Sequence, residues 1–119
     1  PIQQPVDESA APSPALAVAV RGDAVVGQPV TLELRGAAYA DLLVVIGRGA
    51  HCDVQVLTHV VSREHARINV VRGNAIIEDL GSTNGVFVNS IRIDRHELRQ
   101  GDLITVGETQ FRFLESMAH

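Results

Sequence analysis

Val60-Val61-Ser62-Arg63-Glu64-His65-Ala66-Arg67-Ile68 runs from a short polar loop straight into an apolar/polar alternation that Asn69 and Val70 continue. A period of two marks a strand with one buried face. At the mouth of that strand Ser62 and Arg63 set a hydroxyl beside a guanidinium. Such a pair suits a phosphate better than most ligands, because a phosphate offers acceptor oxygens and negative charge to a forked donor.

Two further stretches belong with this one. Upstream, Leu42-Leu43-Val44-Val45-Ile46 is a continuous apolar run that stops at Gly47-Arg48, which puts an arginine at the end of a rigid strand. Downstream, Ala75-Ile76-Ile77-Glu78 leads into Asp79-Leu80-Gly81-Ser82-Thr83-Asn84-Gly85, a dense turn signal. Its two glycines can adopt positive φ, and its short polar side chains can bond to the main chain. Arg48, Ser62, Arg63, Ser82, Thr83 and Asn84 are therefore all expected on loops between strands.

The order Gly47-Arg48, then Ser62-Arg63-Glu64-His65-Ala66, then Asp79 to Asn89 resembles the forkhead-associated (FHA) domain family, over about residues 16 to 115. Three ordered motifs in one short chain are far more specific than a single glycine pattern. The resemblance implies an all-β fold, a sandwich of about eleven mostly antiparallel strands whose loops at one end bind phosphothreonine peptides. By motif, Arg48 and Ser62 match the phosphate-binding pair, Arg63 a position that assists them, and Thr83 with Asn84 the loop that holds the peptide. Gly47, His65 and Gly85 match positions that shape the site. Residues after the phosphothreonine are expected to meet Thr58, His59 and Val60. Val60 stands where some members carry a basic residue that selects an acidic side chain, so an aliphatic preference is expected here. The chain departs from the usual pattern at Val86, where a threonine is common, and at Asn89-Ser90, where the family often has Asn-Gly.

The bulk properties fit one small domain. The chain has 119 residues, a formal net charge of −4 and one cysteine, Cys52. That length buries a single core. A net negative charge supplies no general field for nucleic acid, no apolar run is long enough to span a bilayer, and one cysteine excludes an internal disulfide framework. A reducing, cytoplasmic setting is expected, with no cofactor. All ten basic residues are arginines, so chemistry that needs a lysine, such as a Walker P-loop or a Schiff base, is closed to the chain. The Ala- and Arg-rich composition points to a bacterium with GC-rich DNA. Because the chain opens on Pro1 with no methionine, it is expected to be a piece of something longer.

Residues 1–14, with four prolines among small and polar residues, are expected to form a flexible tail or linker. Residues 15–115 are then the folded domain and 116–119 a C-terminal tail. Strands are expected at 16–20, 30–34, 42–46, 54–56, 66–71, 75–78, 86–88, 91–93, 103–106 and 110–114, with turns at Gly22-Asp23 and at Arg72-Gly73-Asn74. No amphipathic helix of three turns is expected, and Arg95 to Gln100 is the only segment that could form a short one.

Each candidate has a plainer reading. Arg48 alone is an exposed arginine after a strand, and Ser62 alone is a turn-capping hydroxyl. Asn84 before Gly85 can close an Asx turn, Thr83 can bond within its own loop, and Ser82 is expected to do so. The Ser62/His65 spacing, with Asp79, suggests a nucleophile and base, but in an extended chain residues i and i+3 point to opposite faces, and no nucleophile-elbow pattern surrounds Ser62. His65 is therefore expected to be a packed ring that ties loops together. His51, Cys52, Asp53 and His59 have no paired zinc-ligand spacing, so no metal site is expected. The expectation that unites these residues is a non-enzymatic module that binds a phosphothreonine-containing protein, the substrate of a Ser/Thr kinase. The competing reading is a β-sandwich assembly module indifferent to phosphorylation.

Overall fold

The computed structural model describes residues 18–21, 28–35 and 41–116. Within them lie eleven strands: β1 (Val18–Arg21), β2 (Val30–Arg35), β3 (Leu42–Gly47), β4 (Val54–Gln55), β5 (Ala66–Val71), β6 (Asn74–Asp79), β7 (Val86–Val88), β8 (Ile91–Ile93), β9 (Arg95–Glu97), β10 (Leu103–Val106) and β11 (Thr109–Ser116). They form a five-stranded sheet ordered β9-β6-β5-β3-β4 and a six-stranded sheet ordered β1-β2-β11-β10-β7-β8. All pairs are antiparallel except β3 with β4 and β2 with β11. The expected all-β sandwich is thus the observed fold. The expected tail at 1–14, the turn at Gly22-Asp23, and residues 117–119 lie outside the described residues.

Alternation explains why the strands stack as two layers. Along β5, Ala66, Ile68 and Val70 are buried while Arg67 and Asn69 are only half-buried, so one face meets the core and the other meets water. In register with Ile68 are Val44 on β3 and Ile77 on β6. The facing layer contributes Leu32 opposite Phe113, and Ile104 between Val88 and Phe111. Leu32, Val44, Ile68, Ile77, Ile104 and Phe113 have no exposed surface. Each large side chain buried this way contributes about 1.5–3 kcal/mol relative to an exposed one, before the entropy of ordering the chain is subtracted.

One segment differs from the sequence expectation. Arg95 to Gln100 is not a helix: Arg95, His96 and Glu97 pair with Glu78, Ile77 and Ile76 as the edge strand β9. The buried Leu98 continues the ladder, its N–H donating to the Ala75 carbonyl at 2.7 Å. A single helical turn must fix several dihedrals for one bond, whereas the edge of β6 offers a row of unpaired donors and acceptors at once. The chain then turns at residues 99–102, where the Asp102 carboxylate accepts the Arg99 N–H at 2.8 Å. Burial pushes the Asp102 carboxyl up. The Arg99 N–H, the Asn89 amide and His96 together outweigh burial and hold it below its ordinary value.

Candidate functional site

The site grows from the crossing of two loops at the end of β3. At Gly47 a Cβ would lie 2.3 Å from the Arg63 carbonyl oxygen, so only glycine lets the 62–63 segment pass this close. A run of main-chain bonds then clamps the two segments together. His65 N–H donates to Ile46 O at 2.9 Å, Arg48 N–H to Ser62 O at 2.9 Å, and Gly49 N–H to Arg63 O at 3.0 Å. The Cys52 thiol also donates to Arg63 O, at 3.1 Å. Burial pushes that thiol above its ordinary value, which suits a brace rather than a reactive thiolate.

Arg48 is aimed by this clamp. Its Nε–H donates to Val61 O at 3.1 Å, which fixes the plane of an exposed guanidinium. Its two Nη groups have no partner among the described residues. Ser62 Oγ accepts the Thr83 N–H at 3.2 Å, leaving its own proton to donate outward. The 79–85 loop is organised by its own short side chains, since Asp79 Oδ1 accepts the Ser82 N–H at 2.8 Å and Ser82 Oγ accepts the Gly85 N–H at 3.0 Å. Gly81 and Gly85 take the positive φ values, 75° and 88°, that the loop needs.

His65 joins the two loops from beneath and is fully buried. The Ser62 N–H donates to its Nδ1 at 3.0 Å, so the ring proton sits on Nε2, which donates to the Gly85 carbonyl at 2.7 Å. With both nitrogens engaged by main chain, the ring is not available to take a proton from the Ser62 hydroxyl. The geometric reason differs from the expected one. Residues 62–65 form a bend rather than an extended strand, and the bend brings the imidazole under the Ser62 amide instead of its Oγ.

Arg48, His59, Val60, Val61, Ser62, Arg63, Thr83 and Asn84 line one open cavity of about 300 Å³. All five residues assigned by motif to the ligand are there, with His59 and Val60 beside them and no carboxylate among the lining side chains. Gly47, His65 and Gly85 lie behind it. Thr58 is not part of this cavity; it lines a separate groove. Asn84 does not close an Asx turn on its own loop, because its Nδ2 reaches across to donate to Val60 O at 2.7 Å, and its Oδ1 is left without a partner among the described residues. His51 contacts Glu64 at 2.6 Å, and among the described residues no three His, Cys, Asp or Glu side chains gather as a metal site would require.

Sequence reasoning missed two supports. Gly107, at φ 62°, opens the β10–β11 turn, and a Cβ there would meet Val61 Cγ2 at 2.7 Å and Val60 Cγ2 at 3.1 Å. The Arg92 guanidinium lies over Gly85, its Nε 2.8 Å from where a Cβ would stand. Nothing in the sequence says which loop the turn at Gly107 touches.

Mouse proliferation marker protein Ki-67 is 40% identical over 68 residues, which are 56% of this chain and 2% of that protein. Among solved structures, Mycobacterium tuberculosis EmbR in complex with a low-affinity phosphopeptide superposes with a TM-score of 0.64 at 32% identity, covering 87% of this chain and 26% of that one. The FhaA FHA domain complexed with the intracellular domain of Rv3910 gives 0.56 at 34% identity, over 57% of this chain and 75% of that one. The chain spans between 2% and 19% of the length of the curated relatives it matches best. The family model of the FHA domain matches residues 44–107, the span from the middle of β3 to the β10–β11 turn that holds every residue of the cavity, and the chain belongs to the FHA family.

Proposed function

We propose that this domain binds phosphothreonine-containing segments of a partner protein and thereby makes a protein–protein interaction depend on a Ser/Thr kinase. The observation that carries the reading is the convergence of unspent donors on one cavity. The Arg48 Nη groups and the Ser62 hydroxyl point where no carboxylate competes for them. Arg63 and Thr83 stand at the rim, both exposed. A phosphothreonine carries a charge of about −1.5 to −2 and three acceptor oxygens. Each hydrogen bond to such a group is worth about 1.5–3 kcal/mol. That similar chains were solved in complex with a phosphopeptide and with the intracellular domain of a partner supports the reading.

Asn84 suits a sequence-independent role. With Nδ2 held by Val60 O, its free Oδ1 can accept a main-chain N–H of the ligand whatever the side chain. Val60 and Val61 give the cavity an apolar wall on which the threonine methyl can rest. Burying one methyl-sized group is worth about 0.8 kcal/mol, roughly a fourfold preference over phosphoserine. Binding and release need no bond to be made or broken, so the domain acts as a module rather than an enzyme. Its setting is the cytoplasm, where kinase and partner meet. The test is a degenerate peptide library presented with phosphothreonine, phosphoserine and unmodified threonine at the fixed position. Retention of the first, weaker retention of the second and none of the third supports the reading. Equal retention of all three refutes it in favour of a phosphorylation-indifferent assembly module.

A further inference from the structure

The loop that follows β4 serves two concave surfaces at once. His59 and Val60 line the cavity beside Arg48, while their neighbour Thr58 lines a second, larger groove of about 460 Å³. This groove opens at the mouth of the sandwich. Val54, Val56, Leu57 and Thr58 form one wall, and Val20, Val30 and Phe111 from the six-stranded sheet form the other. The floor is core, with Phe111 at 2% exposure and Val56 at 7%, but the rim is bare: Leu57 is 76% exposed and Val20 45%. Among the described residues β4 pairs with β3 alone, on one side. The Thr58 Oγ1 is buried and has no hydrogen-bond partner among the described residues. A buried hydroxyl without a partner is a standing cost to the folded domain.

We infer that this groove is a second docking site for the phosphoprotein itself, taking an aliphatic side chain of the same partner segment some residues away from the phosphothreonine. The inference rests on the phosphothreonine reading above, because what selects this occupant is continuity. Thr58 and His59 are adjacent, so a chain anchored at Arg48 and Ser62 need only pass over His59 to enter the groove. From Thr58 back to Val54 the wall runs about 13 Å at roughly 3.3 Å per extended residue, which places the docked side chain about four to eight residues from the phosphate. Among the described residues, the only charged side chain lining the groove is Asp53, and its Oδ2 is already bonded to the Val45 N–H at 2.9 Å. The groove therefore favours aliphatic residues, tolerates a nearby lysine or arginine, and rejects acidic ones.

The test is selection of phosphothreonine peptides with eight randomised positions on either side of the fixed residue, against the wild-type domain, Leu57→Asp, Thr58→Val and Arg48→Ala. Leu57 is so exposed that its substitution leaves the fold intact, which a melting curve checks. The expected result is aliphatic enrichment four to eight residues from the phosphothreonine on one side. Leu57→Asp should abolish it and weaken the selected long peptide about tenfold, while a peptide trimmed to three residues on either side is unaffected. Thr58→Val, which removes the unmet hydroxyl and keeps the apolar wall, should melt higher and retain the distal enrichment. Absence of distal enrichment, or enrichment indifferent to Leu57→Asp, overturns the proposal while leaving the phosphothreonine reading in place. Stability lost in Leu57→Asp with long-peptide affinity unchanged also overturns it, since the groove is then covered by the chain's own residues. Enrichment that persists with unmodified threonine and with Arg48→Ala overturns both readings together.

Discussion

Replacing His65 with leucine isolates what the buried ring does. The substitution leaves an apolar side chain of workable size but removes both ring nitrogens, so the Ser62 N–H and the Gly85 carbonyl lose their partners at 3.0 Å and 2.7 Å. A buried polar group left unmet costs about 1–3 kcal/mol. The Gly85 carbonyl is in the buried environment, whereas the Ser62 amide is only part-buried and water can meet it in part. Allowing for the apolar surface that leucine buries, the net loss is about 2–3 kcal/mol. For a domain of this size that lowers the melting temperature by roughly 10–20 °C and the urea midpoint by about 1–2 M at unchanged m. Urea unfolding followed by circular dichroism measures it, with His51→Leu as the control. His51 is half exposed and paired with an equally exposed Glu64, so its loss should fall within about 0.5 kcal/mol of zero. A His65→Leu loss no larger than that of the control would refute the argument that the ring holds the two binding loops together.

Three more outcomes follow from the structure. Ser90 takes φ 71° in the two-residue turn between Val88 and Ile91. Ser90→Gly relieves about 1–2 kcal/mol of left-handed strain against the extra entropy glycine loses on folding, so chemical denaturation should show a gain of about 0.5–1 kcal/mol. Asp102 has its carboxyl held below the ordinary aspartate value, so its contribution is complete above about pH 3.9 and disappears as pH falls through the lowered value. Asp102→Asn should cost about 1–2 kcal/mol at pH 7 and flatten the acid limb of the stability profile. Finally, Asn84→Ala removes an exposed link to Val60 O, so calorimetry should find stability within about 1 kcal/mol of wild type, with phosphopeptide affinity reduced about tenfold.

The sandwich was legible because period-two alternation survives wherever one face of a strand is buried. Ala66 to Val71 is the clearest case, and the burial along β5 follows it residue by residue. Arg95 to Glu97 was not legible as a strand, since a three-residue edge strand made of charged and half-buried residues carries no such pattern and owes its state to the open edge of β6. In the site, the polar residues were legible from three motifs, while their pairing was not. Asn84 was expected in the loop that holds the peptide, with an Asx turn as its plainer reading; in the structure its Nδ2 spans to Val60 O, and Ser82 Oγ satisfies the Gly85 N–H. Thr58 was grouped with His59 and Val60 by adjacency in sequence, yet the chain turns between them and sends Thr58 into the other groove. The turn is closed by the Val61 N–H donating to the Thr58 carbonyl at 3.2 Å, and only the surrounding sheets determine what each side of it meets.

The central claim is that Arg48, oriented by its bond to Val61 O, supplies the charge that makes binding depend on phosphate. Its most direct test is isothermal titration of one phosphothreonine peptide, selected from the library, against the wild type, Arg48→Lys and Arg48→Ala, each confirmed to be folded. Losing two charge-assisted hydrogen bonds predicts at least a hundredfold weaker binding by Arg48→Ala, with Arg48→Lys in between because it keeps the charge but not the fork. Binding by Arg48→Ala within threefold of the wild type would contradict the account.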